Sequence, residues 1–130
     1  MDVRVEPILY EQKSVFIQML ELYNYDFSEF SNDDINEYGY FGYEHNNLSN
    51  PHNIAEFFVM KKYRQKGVGR AAAMKIFNMF RGGWEISQWI NNLPAQNFWG
   101  KVIAEYTNGK YDTFTATEEN ETGFTFDNSL

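Results

Sequence analysis

Ile54-Ala55-Glu56-Phe57-Phe58-Val59-Met60, then Lys61-Lys62-Tyr63-Arg64-Gln65-Lys66-Gly67-Val68-Gly69-Arg70, then Ala71-Ala72-Ala73-Met74-Lys75-Ile76-Phe77-Asn78-Met79-Phe80, is the stretch from which the fold is read. The first run is short and mostly apolar, the pattern of a strand buried on both faces. The last combines good helix formers with an apolar face at i, i+3, i+4 spacing, and Gly82-Gly83 stops it. Between them lies a glycine turn flanked by five of the chain's eleven Lys and Arg residues, with no acid from 57 to 80. Glycine admits the positive φ angles that turn successive N–H groups inward, and the helix start adds unpaired donors and a positive dipole end. Strand, turn and helix together make a cradle for a phosphate or pyrophosphate. The competing reading is a basic, solvated loop that caps an ordinary helix.

Two other phosphate loops do not fit. Gly67-Val68-Gly69-Arg70-Ala71-Ala72 formally matches G-x-G-x-x-A, but that fingerprint puts its first glycine directly after a strand and an acid at the end of the next one. Here polar and basic residues separate Met60 from Gly67, and the next strand-like run, Trp84 to Ile90, has its acid, Glu85, at the start. No G-x-x-x-x-G-K-[ST] occurs, so a nucleoside triphosphatase loop is absent.

Arg64, Gly67 and Gly69 stand as the [RQ]-x-x-G-x-[GA] signature of the GNAT acyltransferase superfamily, and the chain resembles that family. A second element lies in register about 25 residues on. Asn92-Leu93-Pro94-Ala95-Gln96-Asn97-Phe98-Trp99 is similar to the N-x-x-A-x-x-[LF]-Y opening of the family's fourth helix. The likeness covers 54–106, and the chain resembles in particular small bacterial predicted acetyltransferases with I-A-E-F-F-V and F-W in these places.

The resemblance implies an α/β fold, a GNAT-like mixed central sheet flanked by helices, in one domain spanning 1–130. Residues 1–53 form the acceptor side, 54–106 the coenzyme A-binding core and 107–130 a closing hairpin. It implies acetyl-coenzyme A as co-substrate, with its pyrophosphate on the amides of Gln65, Lys66, Gly67, Val68, Gly69 and Arg70, beside Arg64. The pantetheine arm would pair with the main chain of Phe58, Val59 and Met60 like an added strand, in the gap where the fourth and fifth strands splay. Asn92 would bond that arm or help hold the splay. Transfer to a primary amine needs a base, for which Glu56 is the acid on the proposed strand, and an oxyanion donor, for which Val59 N–H stands by analogy. The alternative for Glu56 is a structural carboxylate paired to a cation. The family's acid is a tyrosine where this chain has Trp99, which cannot supply a proton; Tyr106 is a distant substitute, and water is another.

The chain departs from the family in its middle. Asn24 to Asn53 shows no pair of β-periodic runs, so the hairpin that precedes the fourth strand is missing, about 30 residues by the strand lengths it needs. An edge left open on that strand predicts a homodimer by strand pairing or by exchange of the C-terminal hairpin. The same shortening leaves a second function open: a GNAT-derived coenzyme A-binding or regulatory module without efficient catalysis.

Composition bounds the rest. At 130 residues and 43% apolar content the chain is one domain with a core, and without cysteine it has no disulfide. His45 and His52 lie in a polar loop and are expected to face solvent, with no metal site. No apolar run approaches the ~20 residues of a membrane span and Met1-Asp2 opens no signal peptide, so the expected location is cytoplasmic. A net charge of -7 argues against nucleic acid and suits a cationic acceptor, with Asp26, Glu29, Asp33, Asp34 and Glu37 on the N-terminal side. Val3 to Pro7 reads as a first strand, Glu11 to Tyr25 as a helix with a stripe of Val15, Phe16, Met19, Leu20, Leu22 and Tyr23, and Tyr38 to Tyr43 as an aromatic anchor. Tyr111 to Thr117 and Thr122 to Phe126 read as the last hairpin, turned at Glu118 to Glu121.

Overall fold

The computed structural model describes residues 2–19 and 49–129. Leu22, Tyr23, the acidic positions 26–37, Tyr38 to Tyr43 and His45 lie outside them. A 3-10 turn at Tyr10–Gln12 leads into helix α1 over 13–19. Strand β1 is His52–Asn53, α2 Val68–Met79, β2 Gly83–Trp89, α3 Leu93–Thr107, β3 Asp112–Ala116 and β4 Glu121–Asp127. The four strands form a mixed sheet in the order β1-β2-β4-β3, with β1 parallel to β2 and the other pairs antiparallel. The fold is α/β.

Alternation sets the two faces of β2. Trp84, Ile86 and Gln88 are buried, while Glu85, Ser87 and Trp89 are half-buried on the other side. Trp84 meets Phe77 of α2 edge-on at 5.0 Å and stacks on Phe126 of β4 at 6.1 Å. Among the described residues Phe77, Trp84, Ile86 and Ile103 are the largest fully buried side chains, and burial of one such group contributes about 1.5–3 kcal/mol. Ala73 and Phe77, one turn apart, therefore seat α2 on the sheet and fix where its N-terminus lies.

The ends of these helices close differently. At the C-terminus of α2, Asn128 Nδ2 donates to the Phe77 carbonyl (2.8 Å), and Trp84 Nε1 donates to that of Phe80 (3.0 Å). The Asn128 Oδ1 accepts from Gly82 N–H at 2.9 Å, so one side chain joins helix end, strand start and chain end. α3 begins with Asn92 Oδ1 accepting from Ala95 N–H (3.2 Å) and ends at Asn108 in the left-handed conformation.

Several expectations need correction. The apolar run Ile54 to Met60 is not a strand: pairing with β2 stops at Asn53, opposite Glu85, and residues 54–60 are half-buried or exposed without a ladder. The edge strand on this side of the sheet, β1, is thus two residues long, not seven. Val3 to Pro7 forms no strand. Of the expected α1 stripe, Val15 and Phe16 are exposed and Met19 is half-buried; Leu20 lies outside the described residues with Leu22 and Tyr23. α2 starts at Val68, three residues earlier than read, and it ends before Gly82, at an extended Phe80. His52 does not face solvent: it is half-buried against Trp84 and Phe80, with Nε2 3.0 Å from the Arg81 carbonyl. Glu121 opens β4 rather than closing the turn.

Candidate functional site

β1 and β2 run parallel for two residues and then part. β2 continues through Trp89 in register with β4. The segment from Ile54 goes instead toward α3, where Phe57 stacks on Phe98 (centroids 5.5 Å) and meets Trp99 edge-on (4.9 Å). α/β sheets hold ligands outside the carboxyl ends of their strands where neighbouring chain segments part, and here α2 follows the segment that leaves β2.

The connection to α2 is built by its own main chain. Lys61–Tyr63 makes a 3-10 turn, with Tyr63 N–H donating to the Met60 carbonyl (2.8 Å). Arg64 Nε donates to the Val59 carbonyl at 2.6 Å, and its guanidinium lies 5.2 Å from the Phe58 ring centre. This pins the loop onto the segment before it. Gln65 (φ 60) and Gly67 (φ 79) are both left-handed, and such residues turn consecutive N–H groups to one side.

Gly67 is the N-cap of α2, so this helix start has no capping side chain, and its first turn carries no acid. The opening N–H groups of any helix lack intrahelical acceptors and favour an anion. A Cβ on Gly67 would meet nothing within 4 Å, so glycine is here for its backbone angle and the space beside it is open. Lys61, Lys62 and Lys66 are exposed around it. An anionic phosphate fits these residues. α3, by contrast, has Asn92 over its first turn, and Gln96 Nε2 also donates to the Ile90 carbonyl at 2.7 Å. Gln96 thus ties α3 to the end of β2, while the Asn92 side chain caps α3 itself.

Not every residue of the basic run serves the cradle. Arg70, inside α2, makes a two-pronged ion pair with Glu105 of α3, with Nε to Oε2 at 2.8 Å and Nη2 to Oε1. Its guanidinium is turned to α3, so the side chain adds no charge to the cradle, while the Arg70 main chain stays in the first turn of α2. The hydrogen bond from Arg70 holds the Glu105 carboxyl below the usual range, and Glu105 raises Arg70 in turn. Gly69 is buried, and a Cβ there would stand 3.2 Å from the Phe98 ring and 3.4 Å from Phe57. Its smallness lets α2 pack against Phe98 of α3 and Phe57.

Val59 and Met60 use their carbonyls internally, so an extended ligand cannot find the whole edge of 58–60 unengaged. Glu56 is half-buried on the departing segment. Trp99 is buried between Phe57, Phe77 and Phe98. Tyr106 donates to Asn78 Oδ1 (2.8 Å) and accepts from Asn128 Nδ2 (3.0 Å), packed on Phe77 and Phe126, which removes it as a substitute acid. Sequence reasoning missed Asn128, Glu105 and Gln88; their partners lie far along the chain and no local pattern marks them.

Among the described residues no helix is long and apolar enough to cross a membrane, and no group of three or more His, Asp or Glu could hold a metal ion. Comparison of the chain with protein families, with curated proteins and with solved structures finds no match.

Proposed function

We propose that the chain binds acetyl-coenzyme A in the manner of a GNAT acyltransferase and transfers the acetyl group to a primary amine. The observation that carries this reading is the parting of β1 and β2 after Asn53 and Glu85, next to an α2 N-terminus whose cap is a left-handed glycine. Pyrophosphate would lie on the N–H groups of 65–70, with Lys61, Lys62 and Lys66 as counter-charges. The nucleophile is a neutral amine. Glu56 takes a proton from its ammonium form, directly or through water, and Val59 N–H faces the oxyanion of the tetrahedral intermediate. The thiolate is protonated by water, because Trp99 is buried and Tyr106 is bonded elsewhere.

A second reading is favoured by that same Trp99: a module that binds coenzyme A without efficient transfer. Calorimetry with acetyl-coenzyme A, followed by thiol release with small amines, polyamines and peptides, separates the two. Binding with turnover supports transfer, and binding without turnover supports the module. Absence of binding at millimolar coenzyme would sink both.

A further inference from the structure

Gln88 is the buried polar side chain of the core, 6% exposed, and its Oε1 has no hydrogen-bond partner among the described residues. Its Nε2 reaches only the Ile86 carbonyl, at a marginal 3.5 Å. A buried acceptor left without a donor costs about 1–3 kcal/mol, so a group of this kind calls for a partner. Gln88 lies on the helix-facing side of β2 with Trp84 and Ile86, three residues beyond the last pairing with β1. That is about 10 Å along the strand into the part that β1 has left. On the same side of the sheet, Phe57 of the departing segment packs on Phe98 and Trp99. Through Trp99 and Phe77 the departing segment shares the side of β2 on which Trp84, Ile86 and Gln88 lie.

We infer that Gln88 is a positioning residue for the acyl carrier, its Oε1 accepting a hydrogen bond from an amide N–H of the pantetheine arm; this rests on the coenzyme reading above. The donor is a neutral amide and not the acceptor's ammonium. Glu85 and Glu121, the carboxylates of β2 and β4 nearest in register, stand on the opposite face, and a cation beside Gln88 would be buried without a counter-charge. A secondary amide offers one N–H and no charge, which matches one neutral oxygen.

The test uses the full chain and Gln88→Met, which keeps the side-chain length and removes both polar atoms. Calorimetry compares acetyl-coenzyme A with 3′-phosphoadenosine 5′-diphosphate, which has the phosphates and lacks the arm. The expected result is about tenfold weaker binding of acetyl-coenzyme A and unchanged binding of the nucleotide. Without ligand, Gln88→Met should unfold no earlier than the parent, because it removes an unsatisfied group. Equal affinity of parent and variant for acetyl-coenzyme A overturns the inference alone. Early unfolding of ligand-free Gln88→Met, repeated in Gln88→Leu, also overturns it, since Oε1 is then satisfied inside the fold. Failure of the parent to bind either compound defeats the coenzyme reading and this role with it.

Discussion

Gly69 of α2 and Phe98 of α3 approach so closely that a Cβ on Gly69 would stand 3.2 Å from the ring. Gly67, two residues earlier, has open space and a φ of 79°. The two signature glycines therefore do different work. Gly69→Val should force the helices apart and lower stability by about 1–3 kcal/mol, the cost of overpacking. Gly67→Ala should cost about 1–2 kcal/mol through its left-handed backbone and also weaken phosphate or coenzyme binding. Denaturant unfolding and calorimetry on both variants check the split; a Gly69→Val protein as stable as the parent would contradict the packing account.

Arg70 and Glu105 tie α2 to α3 on the surface, each about half exposed. Exposed pairs contribute little to stability, so Glu105→Gln should barely move the unfolding midpoint at neutral pH. It should release the Arg70 guanidinium, close to the α2 N-terminus, and raise phosphate affinity severalfold at low salt. Because the folded carboxyl is held below its ordinary 4.5, what the pair contributes is present above that pH and fades as pH falls below it. Unchanged phosphate affinity in Glu105→Gln, measured at low salt, would show that Arg70 does not reach the cradle even when released.

Asn128 bonds Phe77, Gly82 and Tyr106 at once. Asn128→Ala leaves a helix-end carbonyl and a strand-start N–H without these partners, and should destabilise by about 1–3 kcal/mol. Asn128→Asp keeps the acceptor for Gly82 and loses the donor to Phe77, so it should fall between the two. Urea unfolding of the three proteins orders them.

What could be read from sequence was local. α2, β2, α3 and the last hairpin carry their periodicity and turn residues within single windows, and the glycine turn was visible because its backbone requirement restricts residue choice. The strand at 54–60 was misread because an apolar run looks the same whether it pairs in a sheet or leans its rings on a helix. Phe57 does the second, while the pairing falls on polar His52 and Asn53. Val15 and Phe16 of α1 are exposed although they sit in the pattern of a buried face, since periodicity reports an apolar face without saying what covers it. The partner of the Arg70 guanidinium was hidden for a similar reason: charge is written at its own position, and Glu105 is 35 residues away.

Glu121 opens β4 opposite Trp89, and its carboxyl titrates above the usual range, first through burial and then through Glu119 and Glu85. For an acid with a raised folded-state value, folding binds more protons than the unfolded chain does. Stability is therefore lost as pH rises from the ordinary 4.5 through the folded value. Glu121→Gln should raise the melting temperature at pH 7, and the gain should vanish below that ordinary value. Melting curves from pH 3.5 to 7.5 check the sign. A gain of equal size at both ends would mean that packing, not charge, is the cause.

Glu56 is half-buried on the segment that leaves the sheet, three residues past the last paired residue of β1 and three before Val59. A carboxylate placed there serves either as the base for the incoming amine or as a partner that holds the segment. Glu56→Gln separates the roles, because it keeps shape and hydrogen bonding and removes only the capacity to take a proton. As base, it should leave coenzyme affinity and melting temperature near the parent's and lower kcat by about 10²–10⁴, the usual range for a positioned base. The deficit should be largest where the amine is protonated and shrink as pH approaches the amine's own pKa. Loss of melting temperature with turnover intact would assign Glu56 to structure, and would leave deprotonation of the acceptor to solvent.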